Sequence, residues 1–204
     1  MPVPELLTAD DPRLRPSVDL RVARDQLRAA AVDGDVARTR DRVLDLVGRH
    51  PEAARRTCRP GHLTGSAVVV DAEASATLLM LHAKLGRWLQ PGGHADGDAN
   101  LAAVALREAT EETGIEGLAV RLPALDVDVH EVAPPAEDPH LHLDVRFLVL
   151  APPGAREVAN EESLALAWVT EAGLDALAPP VDESTRRLVA RGLAEARRLV
   201  AARG

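Results

Sequence analysis

A chain of 204 residues with 46% apolar content is long enough for one well-packed domain with an appendage and too short for two full domains. Its formal net charge of -8, with Lys84 the sole lysine, argues against sequence-independent binding to a nucleic-acid backbone. Trp88, Trp168 and Phe147 are the only aromatic residues, so the core must be built from Val, Leu and Ala, and few rings remain to stack on a base.

Pro2, Pro4, Pro12 and Pro16 punctuate the start. Apolar residues at helical spacing then predict one helix over residues 17–31 and another over 35–50. In the second, Val36, Val43, Leu44 and Val47 share a stripe and Asp35 is placed to cap it, so a helical hairpin turning at Asp33 and Gly34 is expected. Pro51 and the run Arg59-Pro60-Gly61 break helix. They divide the chain into a helical N-terminal extension over 1–60, for packing or homodimerisation, and a main domain over 61–204. Strand patterns follow at 67–70 and 77–82, a loop signal at 89–93, and a helix at 101–113 ended by Gly114. Further strands are predicted at 118–121, 125–130, 140–150 and 165–170, and closing helices at 171–177 and 182–202. This order implies an α/β sandwich with a mixed sheet.

Cys58, the single cysteine, cannot make an internal disulfide. No stretch approaches about 18 uninterrupted apolar residues, and no leader pattern is recognisable. A cytoplasmic protein with no membrane partner is the expectation.

The informative segment runs from Gly93 to Ile115. In a helix, Glu108, Glu111 and Glu112 stand at i, i+3 and i+4 and stack three carboxylates on one face. Taken alone, such a helix is more often a solvated surface. Its flanks argue otherwise. Pro91-Gly92-Gly93 makes a tight loop whose carbonyls could face a metal, and Leu101, Val104, Ala105 and Ala109 supply a stripe that docks the far side on a sheet. Hard divalent cations favour carboxylate and water oxygens, so acids held in this way suit magnesium. Arg107, one step off the acidic face, could brace a carboxylate.

This segment resembles the Nudix box: Gly, five residues, Glu, seven residues, Arg-Glu, an aliphatic, any residue, Glu-Glu, any residue, Gly, an aliphatic. Gly93, Arg107, Glu108, Glu111, Glu112, Gly114 and Ile115 match, and Ala109 takes the aliphatic slot. The first Glu is replaced by Ala99, with Asp96 and Asp98 just before it; either Asp98 takes that role or the helix works with one acid fewer. The resemblance implies a Nudix-type α/β/α sandwich and metal-dependent hydrolysis of a diphosphate linkage in a small, nucleoside-diphosphate-type substrate. It further implies that Glu108, Glu111 and Glu112, with the Gly92 carbonyl, bind Mg2+ or Mn2+, that Arg107 orients them, and that Glu161 or Glu162, preceding Trp168, adds an acid. Glu162 is carried as the catalytic and metal-binding member of that pair. The general base is left open among Glu108, Glu112 and Glu162. A Nudix-like binding or regulatory module without turnover is the alternative, supported by Ala99. Isomerisation of an allylic diphosphate would need a cysteine in the cleft, and Cys58 lies outside the box.

A second polar pattern belongs to no family box. Asp126, Asp128 and His130 alternate with Val127 and Val129, and His140, His142, Asp144 and Arg146 alternate with Leu141, Leu143 and Val145. If the two strands pair through a loop over 131–139, one charged face results. A solvated outer face and the floor of the substrate cleft are both open readings, and a further metal site is a third. On the cleft reading, Arg146 meets a phosphate and His140, His142 and Asp144 read polar groups. His94 should lie at the cleft mouth or cap the loop, near His82, and Trp88 either packs in the core, the more common fate of such a ring, or is the best candidate for stacking on a base.

Overall fold

The computed structural model describes residues 5–133 and 138–202. α1 (Leu20–Ala29) starts where the Asp19 carboxylate accepts the Arg21 N–H, and α2 (Gly34–Arg49) follows Asp33 as its N-cap residue. Position 17 does not open α1 because the Ser17 backbone is bound elsewhere: its N–H donates to Asp98 Oδ1 and its carbonyl accepts from the Ala99 N–H. Asp35 is not the cap of α2. It sits in the first turn, paired with Arg38, where its charge still complements the helix dipole. Val36, Val43 and Val47 are buried as their stripe predicts, with Leu44 packed beside them.

Eight strands form one mixed sheet: β1 (Leu6–Leu7), β2 (Gly61–Val70), β3 (Thr77–His82), β4 (Trp88–Leu89), β5 (Gly92–His94), β6 (Ala119–Val132), β7 (His140–Leu150) and β8 (Ser163–Val169). The order is β1-β6-β7-β2-β3-β4, with β5 beside β2 and β8 beside β3. β2 and β7 run parallel, from Gly61 opposite Leu141 to Val70 opposite Leu150; the other pairs are antiparallel. β2 is longer than the apolar run at 67–70 because His62, Thr64 and Ser66 are buried too, in a central strand flanked on both sides. β6 is one strand where two were expected. Pro123 cannot donate to the ladder, and the register shift between Arg121 and Asp126 absorbs it. β6 and β7 do pair, Asp126 opposite Arg146, Asp128 opposite Asp144 and His130 opposite His142. Of the expected connecting loop, residues 134–137 lie outside the described residues.

α3 (Leu101–Thr113) joins α1 and α2 on one face of the sheet, where Leu27, Val43, Leu101 and Ala105 share a core with Leu63, Ala67 and Val69. α4 (Glu183–Ala201) covers the other, where Leu188, Val189 and Leu193 meet Val68 and Val70. Alternate residues of β2 thus feed two cores, and the result is the α/β/α sandwich. Glu171–Ala176 winds as a 3-10 helix, not an α-helix.

The N-terminal segment is joined to α3 through one side chain. Asn100, 2% exposed, caps α3, accepts from Gln26 Nε2 (2.8 Å) and donates through Nδ2 to the carbonyls of Arg13 (2.8 Å) and Arg15 (3.0 Å). Asn100→Ala removes the cap and strands these groups, at an expected cost of about 2–3 kcal/mol, read from the denaturant midpoint at unchanged slope. A shift within a few tenths of a kcal/mol would show that the N-terminal segment is held by apolar packing alone.

Candidate active site

α3 is fixed at both ends. Asn100 caps its start, and Gly114 ends it with a φ of 65°, a left-handed conformation that costs other residues energy. Val158 packs on Gly114 and donates its backbone N–H to the Thr113 carbonyl (2.7 Å). Leu101, Val104, Ala105 and Ala109 are buried as the stripe predicts. Two of the glutamates turn toward β5. Glu112, 5% exposed, accepts the Gly92 N–H at Oε2 (2.9 Å). Glu108 is half-buried, and its carboxylate lies so close to Gly93 that a Cβ there would come within 2.3 Å of Oε2. Arg107 Nη2 donates to Glu108 Oε1 (2.9 Å). Glu111 is exposed, and its carbonyl accepts from Asn160 Nδ2 (3.2 Å). Asn160 Oδ1 in turn accepts from the Glu162 N–H (2.9 Å), which ties the approach to β8 to the C-terminal turn of α3. Glu161 and Glu162 are both exposed; the charge of Glu162 is the one felt at Glu108 and Glu112. Trp168 Nε1 donates to Glu157 Oε2 (2.8 Å), pinning the same loop.

Burial raises the Glu108 carboxyl above its usual range, with the Arg107 hydrogen bond opposing and the charges of Glu111 and Glu162 adding. Burial acts more strongly on Glu112, pushed up to about 8 despite the Gly92 N–H, with Glu108, Glu162 and Glu111 contributing repulsion. Crowded carboxylate oxygens facing a single guanidinium are a donor set short of positive charge, and such a set fits a hard divalent cation.

Ala99 is fully buried and its N–H donates to the Ser17 carbonyl (2.5 Å). A longer side chain at this position would have to displace the residues packed around it. Asp98 is occupied as well: Oδ1 accepts from the Ser17 and Asn100 N–H groups (both 2.9 Å), while Oδ2 lies 4.0 Å from Arg107 Nη1. Asp98 Oδ2 is buried with no hydrogen-bond partner among the described residues, so Asp98 meets Arg107 through charge alone. Asp96 pairs with Arg56 of the N-terminal segment (2.6 Å).

The second polar pattern forms one sheet face, but most of it is closed. Arg146 is 2% exposed. Its Nε donates to Asp144 Oδ2 (2.6 Å), Nη1 to Asp126 Oδ2 (3.2 Å) and Ser184 Oγ (2.8 Å), and Nη2 lies 3.2 Å from Asp128 Oδ2. Asp144, also buried, accepts from Thr64 Oγ1 (2.9 Å) and Ser66 Oγ (2.7 Å). These two residues do not floor an open cleft; α4 lies over them, and Arg187 from that helix completes the network on Asp126 and Asp128. Trp88 is 8% exposed, packs in the α4 core and donates Nε1 to the Ala178 carbonyl (3.2 Å), so its ring does not offer a stacking face. His140 is buried against the Asp138 carbonyl (2.9 Å). His94 and His142 remain half-buried, their Nε2 atoms 3.3 Å apart. His82 closes a turn, Nδ1 accepting the Lys84 N–H, and Cys58 is fully buried, its thiol pushed up by burial and by the Glu52 charge. The sequence reading omitted His62, Thr64, Ser66, Ser184 and Arg187. The alternation 62-64-66 was there to be read, as was the spacing of Ser184, Arg187 and Arg191 on one helix face, but Gly61 and Gly65 masked the first as loop.

The sequence model of the NUDIX domain matches residues 61–192. No curated protein sequence matches the chain. Among solved structures, an Ap4A hydrolase binary complex from C. elegans superposes with a TM-score of 0.53 at 17% identity, covering 65% of this chain and 96% of that one. A Nudix hydrolase from M. smegmatis gives 0.47 at 24% identity (69% and 86% covered), and the E. coli dihydroneopterin triphosphate pyrophosphohydrolase gives 0.49 at 17% (67% and 97%). The C. elegans likeness supports the fold, and the domain match spans more than half of the sequence, including the whole carboxylate helix. The chain belongs to the Nudix family of pyrophosphohydrolases.

Proposed function

We propose that the protein hydrolyses a diphosphate linkage in a small nucleoside-diphosphate-type molecule, with Mg2+ or Mn2+ held by Glu108, Glu111, Glu112 and Glu162 and the Gly92 carbonyl. The observation that carries this reading is the meeting of Glu108 and Glu112 at β5, both partly desolvated and both feeling the charges of Glu111 and Glu162, with Arg107 bonded to Glu108. The metal, when bound, neutralises diphosphate charge and makes water more acidic. Arg107 holds the Glu108 carboxylate in one orientation, with the Asp98 charge 4.0 Å from its guanidinium. The Gly92 N–H fixes Glu112. One of Glu108, Glu112 and Glu162 accepts the proton of the attacking water, and water's oxygen bonds to phosphorus as the bridging oxygen departs with its phosphate.

With a net charge of -8 and no described helix long and apolar enough to cross a membrane, we take a free small molecule as the substrate and the cytoplasm as the site of action. The test is a hydrolysis screen over diphosphate compounds with magnesium and with manganese, run on the wild type and on Glu111→Gln. Turnover is expected on at least one compound and is expected to fall by roughly 10²- to 10⁴-fold in the variant. Equal turnover in both would sink the mechanism. The burial of Ala99 beneath Ser17 favours one other reading, a binding module, and the absence of turnover on every compound would select it.

A further inference from the structure

Five histidines from four strands converge at the open end of the polar sheet face. His62 lies on β2 directly opposite His142 on β7, which lies opposite His130 on β6, while His94 on β5 pairs with Thr64, two residues from His62. Their rings pack at centroid distances of 4.9–5.5 Å, with His140 in contact with both His62 and His142. His62 is 1% exposed, yet neither of its ring nitrogens has a hydrogen-bond partner among the described residues. A buried imidazole left in this way gives up the hydrogen bonds it makes to water in the unfolded chain and gets none in return. The rest of this face is fully paired, from Thr64 and Ser66 through Asp144 to Arg146, so unsatisfied nitrogens at its end call for a missing partner.

The spacing identifies one. One nitrogen each from His62, His94 and His142 lie within 4.8 Å of one another. His94 Nε2 and His142 Nε2 are 3.3 Å apart. Zinc with Zn–N bonds of about 2.0–2.1 Å in a tetrahedron separates its ligand nitrogens by about 3.3 Å. That pair is therefore already at the edge length of a zinc tetrahedron, and His62 need only close from a small excess. We propose that His62, His94 and His142 form a three-histidine site for Zn2+ or a similar borderline-soft divalent ion, separate from the carboxylate cluster on α3 and tying β2, β5 and β7 together.

Supporting chemistry agrees. Burial, and then neighbouring histidines, hold His62 down to about 4 and His142 to about 3, so both present neutral lone pairs at pH 7. Imidazole nitrogens select zinc, cobalt and nickel over magnesium, whereas the glutamates prefer the harder ion. The two sites share strand β5 but not a face: Gly93 abuts Glu108, and its neighbour His94 joins the histidines. A ligating role replaces the substrate-reading role expected for His94 and His142.

The test is titration of the metal-stripped full chain with Co2+, followed by its visible d–d bands, and with Zn2+ by calorimetry, both in excess Mg2+. One equivalent of Co2+ is expected to give tetrahedral-type bands that Mg2+ does not bleach and Zn2+ does. His62→Ala and, on the more exposed side, His142→Ala are each expected to weaken Zn2+ binding by at least about 100-fold. Glu111→Gln is expected to leave the bands and the Zn2+ affinity unchanged, while it lowers magnesium-dependent turnover by roughly 10²- to 10⁴-fold if the proposed hydrolysis holds. Absence of binding in the wild type, unaltered binding in both histidine variants, or loss of the bands in Glu111→Gln would overturn the proposal. So would a sulfur-to-cobalt charge-transfer band, since it would place the ion at His50, Glu52 and Cys58, the other group with metal-ligand spacing.

Discussion

Glu112→Gln is expected to make the metal-free protein more stable and the enzyme nearly inactive. The Glu112 carboxyl has an ordinary value of 4.5 and is pushed up to about 8 in the folded chain, by burial first and then by the charges of Glu108, Glu162 and Glu111. Between those values the folded state binds a proton that the unfolded state has released, so without metal its stability falls as pH rises through the window. By pH 7 the penalty is on the order of 3 kcal/mol. Glutamine keeps an oxygen for the Gly92 N–H but carries no charge, so the stability of the variant relative to the wild type is expected to grow as pH rises through the window, with a higher Tm at its upper end. Added Mg2+ should raise the Tm of the wild type most at that same end, where Glu112 must otherwise ionise uncompensated, and should raise that of the variant little. Turnover is expected to fall by roughly 10²- to 10⁴-fold. Differential scanning calorimetry of both proteins across the window, with and without Mg2+, checks all of this. A Tm difference between variant and wild type that does not change with pH in metal-free buffer would refute the charge penalty, since the lowered His62 and His142 contribute equally to both proteins.

The second large effect lies on the opposite face. Arg146→Ala is expected to cost about 3–5 kcal/mol, because it strands buried carboxylates and does not merely delete a contact. Asp144 would keep only the Thr64 and Ser66 hydroxyls, and Asp126 and Asp128 would keep Arg187, a third of which is exposed. In the intact network burial pushes Asp144 and Asp128 up, but the outcome is a lowered carboxyl in both. The Arg146 charge dominates at Asp144, and the His130 hydrogen bond followed by Arg146 at Asp128. Such groups contribute stability above the usual carboxylate range, and that contribution is lost as pH falls through their lowered values. The cost of Arg146→Ala should therefore shrink toward acid pH, where orphaned carboxyls take up protons. Urea denaturation of wild type, Arg146→Ala, Asp144→Asn and the double variant gives the coupling, expected at 2 or more of the roughly 3–5 kcal/mol lost. Additive single effects would show that the two side chains do not act as a pair.

Both variants mark the boundary between what sequence and tertiary structure decide. The carboxylate helix was legible because a helix carries its own geometry: Glu108, Glu111 and Glu112 share a face whatever surrounds them, and Leu101, Val104, Ala105 and Ala109 must then share the other. The β6 and β7 alternation was legible for the same reason, since strand periodicity is local. Which side of a strand meets water is not local. Arg146 reads as a phosphate ligand until α4, forty residues further on, covers it with Ser184 and Arg187, and Trp88 reads as either a stacking ring or a core residue until the same helix core closes over it. Ala99 reads as a gap in a motif until Ser17, some eighty residues away, bonds to its N–H and fills the space. The sequence by itself determined the family motif, the carboxylate face of α3 and the two-sided strand pattern, because these rest on spacings of a few residues. Only the tertiary structure decided which polar residues are sealed into ion pairs and that His62, His94 and His142 meet. Burial and convergence depend on contacts between segments far apart in the chain, and no local period records them.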